Sequence, residues 1–196
     1  MTFIVLLIIS IVIFGSSMVV LRNIFFKAKE TQTVLDEKTE QELESLISAG
    51  EIVAVLPAQK KLGIKDSAVF GIGVQNILLD EQNFYVMVGF DRAFTPDGTT
   101  EITIAEQAYI NKNWLRYDKS AQKIKPNEFK TIPLFVSIEP KLSNTASTRP
   151  GIYTFNICVF NGSTIQNVDE TNCWKDNNRG LLYPDKRPRR LVVEVV

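Results

Sequence analysis

Apolar side chains fall into two regimes along this chain. Thr2 to Leu21 is an apolar stretch with no charged residue and no proline. About 20 such residues, rising 1.5 Å each, cross the roughly 30 Å hydrocarbon layer of a bilayer. Residues 1–22 are therefore expected to form a transmembrane helix that meets membrane lipid through residues 2–21; a buried core helix of that length ordinarily keeps a polar face. The rival reading is a cleaved signal peptide, because Gly15 and Ser17 loosely fit a small-x-small cleavage site. Two features favour an uncleaved anchor: no basic region precedes the apolar run, and the run continues through Met18–Leu21.

Beyond the apolar stretch the pattern turns polar and helical. Lys27 to Ile47 is rich in Lys, Glu, Gln, Leu and Ala, with no proline before Pro57 and a stop at Gly50. Its apolar positions, Val34, Leu35, Leu43, Leu46 and Ile47, are too sparse for a heptad seam. Residues 23–50 read as a solvated helical stalk, of which residues 27–49, if helical throughout, would hold the next domain about 35 Å from a membrane. A sharper alternative is self-association through Val34/Leu35 and Leu43/Leu46/Ile47.

From residue 51 to 196 the period changes to two. Phe70, Ile72 and Val74 share one face, as do Phe84, Val86, Val88 and Phe90. Ile132, Leu134, Val136 and Ile138 make a third set, Tyr153, Phe155, Ile157 and Val159 a fourth, and Leu191, Val193 and Val195 a fifth. All eight prolines lie in this part. Short alternating strands separated by Asp-Gly, Pro-Asn and Pro-Gly turns indicate an antiparallel β-sandwich. No long helical pattern is read between them, which argues against a parallel α/β sheet. Pro133 requires its strand to be an edge or to carry a bulge.

Composition narrows the chemistry. The 22 basic and 22 acidic side chains cancel, so the basic excess of a nucleic-acid partner is missing. With no histidine the commonest general base and most transition-metal sites go too. Ser120-Ala121-Gln122-Lys123 fits a Ser-x-x-Lys string, but its companion strings are missing, and a surface turn is the simpler reading. Gly71-Ile72-Gly73 lies within a strand pattern and reads as a bulge or close backbone packing, not a nucleotide loop. Asn167, Asp169, Glu170, Asn172 and Asp176 concentrate oxygen atoms without calcium-loop spacing, and read as a solvated loop. Trp114, Tyr117 and Trp174 could form a sugar-binding face and read better as core or edge residues. No catalytic, cofactor-binding or metal-ligating residue, and no cofactor, is expected.

Three features remain as candidate sites. Cys158 and Cys173 could join in a disulfide that folds the long 161–190 connection back on the sandwich, or remain two buried thiols. Asn161-Gly162-Ser163 is a glycosylation sequon that also reads as a turn. Lys186, Arg187, Arg189 and Arg190 form the densest basic cluster, suited to an acidic partner or anionic lipid, or simply flanking a strand. Orientation signals conflict. Arg22, Lys27 and Lys29 after the span favour a cytoplasmic domain by the positive-inside rule, whereas the cysteine pair and the sequon favour an oxidising exterior. The exterior is the expectation adopted.

The order Ile124–Glu128, alternating strand to Glu139, Pro140, then Pro150-Gly151-Ile152-Tyr153 resembles the second half of immunoglobulin-like domains in prokaryotic envelope proteins. That resemblance covers roughly residues 120–196, and it implies that the Gly-x-Tyr strand is penultimate and pairs with the last strand, Leu191–Val196. The overall layout resembles the stator-like anchored subunits of the archaeal rotary filament. It implies a single-pass membrane protein whose extracytoplasmic sandwich binds or scaffolds an envelope or surface-machine protein. The same layout occurs in subunits of pilin-type filaments, the alternative; a hydrolase is the third reading.

Overall fold

The computed structural model describes Leu35 and residues 37–95, 98–100, 102–143, 146–162, 168–175, 178 and 180–196. The expected membrane segment, residues 23–34 of the stalk, and Val34 with them lie outside the described residues. Among the described residues no helix is long and apolar enough to cross a membrane.

The chain is mainly β, in two sheets. One holds β1 (Val53–Leu56), β3 (Ser67–Gln75), β8 (Phe129–Ser137) and β6 (Leu115–Tyr117), in that order. The other holds β2 (Gln59–Leu62), β10 (Arg189–Val195), β9 (Gly151–Asn161), β4 (Gln82–Thr95) and β5 (Gly98–Thr100), with β7 (Gln122–Ile124) also on β4. All five alternating apolar sets point into one shared core. The sheet orders match the two sheets of an immunoglobulin fold, with the first strand split between them. The last strand pairs antiparallel with the Gly-x-Tyr strand, from Val195↔Gly151 to Arg189↔Ile157. Tyr153, near the start of β9, donates its hydroxyl back to the Arg149 carbonyl at 2.9 Å, the tyrosine corner of such sandwiches. One departure is that β2 runs parallel to β10.

Pro133 sits in β8 with an unbroken register to β3, opposite Gly71. Since β6 pairs only with Leu134–Val136, Pro133 lies beyond the paired stretch, where its missing N–H costs no ladder bond. The strand is locally an edge, without a bulge.

Two helices are seen among the described residues, and both correct the sequence reading. The first, α1 (Glu37–Ser48), starts with Glu37 and Glu40 against the positive end of its dipole and stops at Gly50, whose φ of 104° few other residues adopt. Over these residues it is not a solvated spacer. Leu43 and Ile47 are buried against Ala54, with Leu35, Leu56 and Phe129 packed around them. The receiving surface is the outer face of β3, made hollow by Gly71 and Gly73: a Cβ on Gly71 would fall 2.4 Å from Leu43 Cδ1. The Gly-x-Gly string is thus a site of close packing, as its place in a strand pattern suggests. The same contact engages Leu35, Leu43 and Ile47 within their own chain, so they are not free for self-association; Leu46 is exposed.

The second helix, α2 (Ile104–Asn113), stands where the sequence pattern shows only strands and turns. Thr103 and Glu106 form a reciprocal capping box at its start, and Ile110 and the adjoining Trp114 anchor it in the core. Its position explains how β4 avoids an open edge. Between β7 and β5, the Val88 N–H bonds to the Tyr117 hydroxyl at 3.0 Å and the Phe90 N–H to Asn111 Oδ1 at 2.7 Å. The side chains of Tyr117 and Asn111 thereby satisfy backbone N–H groups two residues apart on β4, in place of a missing strand.

Candidate functional site

The described part of the connection between β9 and β10 covers the outer face of the second sheet. Cys158 and Cys173 are joined, with Cα atoms 6.1 Å apart, and both sulfurs are buried with Phe160 and Leu182. The segment they pin lies over Gly89, where a Cβ would fall 1.7 Å from the Glu170 carbonyl oxygen and 2.6 Å from the Trp174 ring. Lys119 reaches across to Glu170 as a further tie, at 2.5 Å. These contacts bury both faces of β9, including Asn156 and Thr154. A loop closed over 15 residues adds roughly 3 kcal/mol by the chain-entropy account.

The oxygen-rich residues of this segment are spent on its own shape. Asp169 accepts from the Thr171 hydroxyl and N–H, and those bonds hold its carboxyl below the usual range. Asn172 Oδ1 accepts from the Asp169 N–H and from Asn178, and Glu170 faces Lys119. No metal-holding group of three or more ligands occurs among the described residues. Asn167 and Asp176 lie outside them.

The other sequence candidates separate. Ser120 is in a turn ahead of β7, its N–H bonded to Asp118, and Lys123 is paired with Glu81 at 2.7 Å; no helix begins there. Trp114 is fully buried against Tyr153, and Tyr117 and Trp174 are half-buried, so the three form no exposed aromatic face. Within the basic cluster, Arg189 is removed from the candidate set because its guanidinium holds the Val53 carbonyl at 3.1 Å and the Asp185 carboxylate at 3.1 Å. It ties β10 to β1 across the sandwich. Lys186, Arg187 and Arg190 remain exposed.

What the fold does assemble is one end of the sandwich, which sequence reasoning passed over. Asn76, fully buried at the end of β3, is the hub of the loop to β4. Its Nδ2 donates to the Asp80 and Ile124 carbonyls, both at 2.9 Å, and its Oδ1 accepts from the Leu78 N–H. Leu78 turns inward, while Ile77 and Leu79 turn out, Leu79 being 94% exposed. Tyr183 then joins this loop to the segment leading into β10. Its hydroxyl donates to the Gln75 carbonyl at 2.8 Å and accepts from the Ile77 N–H at 2.9 Å, and its ring meets Phe84 edge-on at 4.9 Å. Burial raises the Tyr183 phenol. Beside it, Phe160, Asn161, Leu181 and Lys186 border an open groove of about 380 Å³. The sequence signal was available in Gln75-Asn76-Ile77-Leu78-Leu79-Asp80: apolar residues in a polar turn, with an asparagine able to bond its own loop.

No family model matches the chain, and no curated protein matches it. Solved structures similar to it include the alkylpurine DNA glycosylase AlkC of Pseudomonas fluorescens bound to DNA containing an abasic site analog, at 11% identity and a TM-score of 0.43, over 78% of this chain and 33% of that one. The chain thus spans about a third of that enzyme. The PapD-like domain 7 of human CEP192 is similar at 5% identity and TM-score 0.38, over 74% of this chain and 85% of that one. The CooA pilin subunit of enterotoxigenic Escherichia coli is similar at 10% identity and TM-score 0.38, over 74% and 97%. The fold assignment rests on strand order, register and the Tyr153 corner rather than on these likenesses.

Proposed function

We propose that this chain is an extracytoplasmic β-sandwich that binds another protein through the end built on Asn76 and Tyr183. The observation that carries the reading is Leu79, a large aliphatic side chain 94% exposed on a loop fixed by a buried asparagine. An apolar residue on a rigid loop is a ready anchor for a partner's pocket, because little conformational freedom is lost on binding. Lys186 and Arg187 at the same end would favour a partner with acidic groups around that pocket. The Cys158–Cys173 bond supports an oxidising compartment. In this reading the apolar segment 2–21 anchors the chain in a cell membrane by a single pass, as in the stator-like subunits that its layout resembles. No enzymatic role is assigned.

A second reading, a subunit of a pilin-type surface filament, is favoured by α1. The helix is docked on the sandwich, which removes, over residues 37–48, the free polar spacer on which a tethered scaffold would rely.

Photo-crosslinking from position 79 of the full chain, in the cells that make it, tests the proposal. A discrete adduct with a different protein is expected, lacking when the crosslinker is placed at exposed Glu44. An adduct with a second copy of the chain favours the filament reading; no adduct from position 79 overturns both.

A further inference from the structure

We infer that Asn161 is a modification site carrying an N-linked oligosaccharide. The inference rests on the extracytoplasmic placement proposed above. Asn161 is exposed at the last position of β9 and borders the open groove, and no side-chain partner holds its amide among the described residues. Gly162 comes next with φ of 91° and donates its N–H to the Asn83 carbonyl at 2.9 Å, so the chain leaves the strand there in a turn. The sequence completes the acceptor tripeptide with Ser163. Gly162 has nothing within 4 Å of where a Cβ would stand, so space is open beside the acceptor. Three residues upstream, Cys158 is in a disulfide, an independent mark of the compartment in which such transfer takes place.

The donor would be a lipid-linked oligosaccharide phosphate, delivered by a transferase. Asn161 Nδ2 forms a bond to the anomeric carbon of the first sugar and loses one proton to a base. The bond from that carbon to the phosphate oxygen breaks, and the lipid phosphate departs with the electron pair. No oxidant or reductant takes part. The first sugars would lie beside Leu181, which is 52% exposed on the groove wall.

The test weighs the peptide containing residue 161 from the full chain isolated from the cells that make it. Most chains are expected to carry a discrete excess of sugar mass. It should be lost entirely in Asn161→Gln and Ser163→Ala and kept in Ser163→Thr, which preserves the acceptor. Alkylation of the same sample under denaturing conditions reports the cysteines. A peptide at its bare sequence mass with Cys158 and Cys173 bonded overturns the glycan alone. A bare peptide with both thiols free overturns the glycan and the compartment together.

Discussion

At Gly89 there is no room for one more carbon, and that position reports on the whole outer face of its sheet. Gly89→Ala would drive a methyl group into the Glu170 carbonyl and the Trp174 ring, and overpacking of this kind costs about 1–3 kcal/mol. The expected outcome is a lower urea midpoint together with faster cleavage of the 168–175 segment by protease; an unchanged midpoint would show that the segment does not rest on the strand. Tyr117→Phe should cost about 1–3 kcal/mol, because it leaves the Val88 N–H without an acceptor. The acidic and phenolic groups set the pH limits. Hydrogen bonds from Ser120 lower Asp118, and those from Thr171 lower Asp169. The stability they contribute is present above the ordinary carboxylate range near pH 4 and is lost as pH falls through the folded values. Tyr117, Tyr153 and Tyr183 are raised, chiefly by burial. Their contribution is whole below about pH 10 and is lost as pH rises through the folded values. With no histidine in the chain, the urea midpoint should be flat between about pH 6 and 9; a steady slope across that range would contradict this assignment.

Among the elements, the strands and the helix of α1 with its stop at Gly50 were legible in the sequence, and α2 was not. Each alternating set reads directly because a residue two places along returns to the same face, whatever the strand pairs with. The docking of α1 is different in kind. Leu35, Leu43 and Ile47 look too sparse for burial until Gly71 and Gly73 are seen beneath them, a hollow on a strand that lies far along the chain. Leu43→Ala is expected to cost about 2–5 kcal/mol, whereas Glu44→Ala, on the exposed side, should shift the urea midpoint hardly at all. Equal effects would mean that α1 is not seated on the sheet. The helix α2 buries little, and only its Thr103–Glu106 box announces it. The disulfide was half legible: two cysteines permit one bond, but bonding needed a topology that brings the connection back over β9. Reduction under denaturing conditions, then refolding with blocked thiols, should remove about 3 kcal/mol and leave the 168–175 segment open to protease.

For the molecule as a whole, the sandwich and the pairing of its last two strands came from alternation and from the Gly-x-Tyr opening. The candidate site did not, because it is made where two distant segments meet. Asn76 and Tyr183 are joined only by the fold, through the Gln75 carbonyl and the Ile77 N–H. The basic cluster, prominent in the sequence, is thinned by folding, since Arg189 turns inward to hold β1. The proposed role requires this sandwich to stand outside the cytoplasm with its cysteines bonded. The most direct measurement treats intact cells with a membrane-impermeant amine reagent, then alkylates the denatured chain without reductant. Labelled peptides containing Lys60, Lys61 and Lys186, with no alkylated cysteine, are the expected result. Lysines labelled only after lysis, with Cys158 and Cys173 free to alkylate, would contradict it.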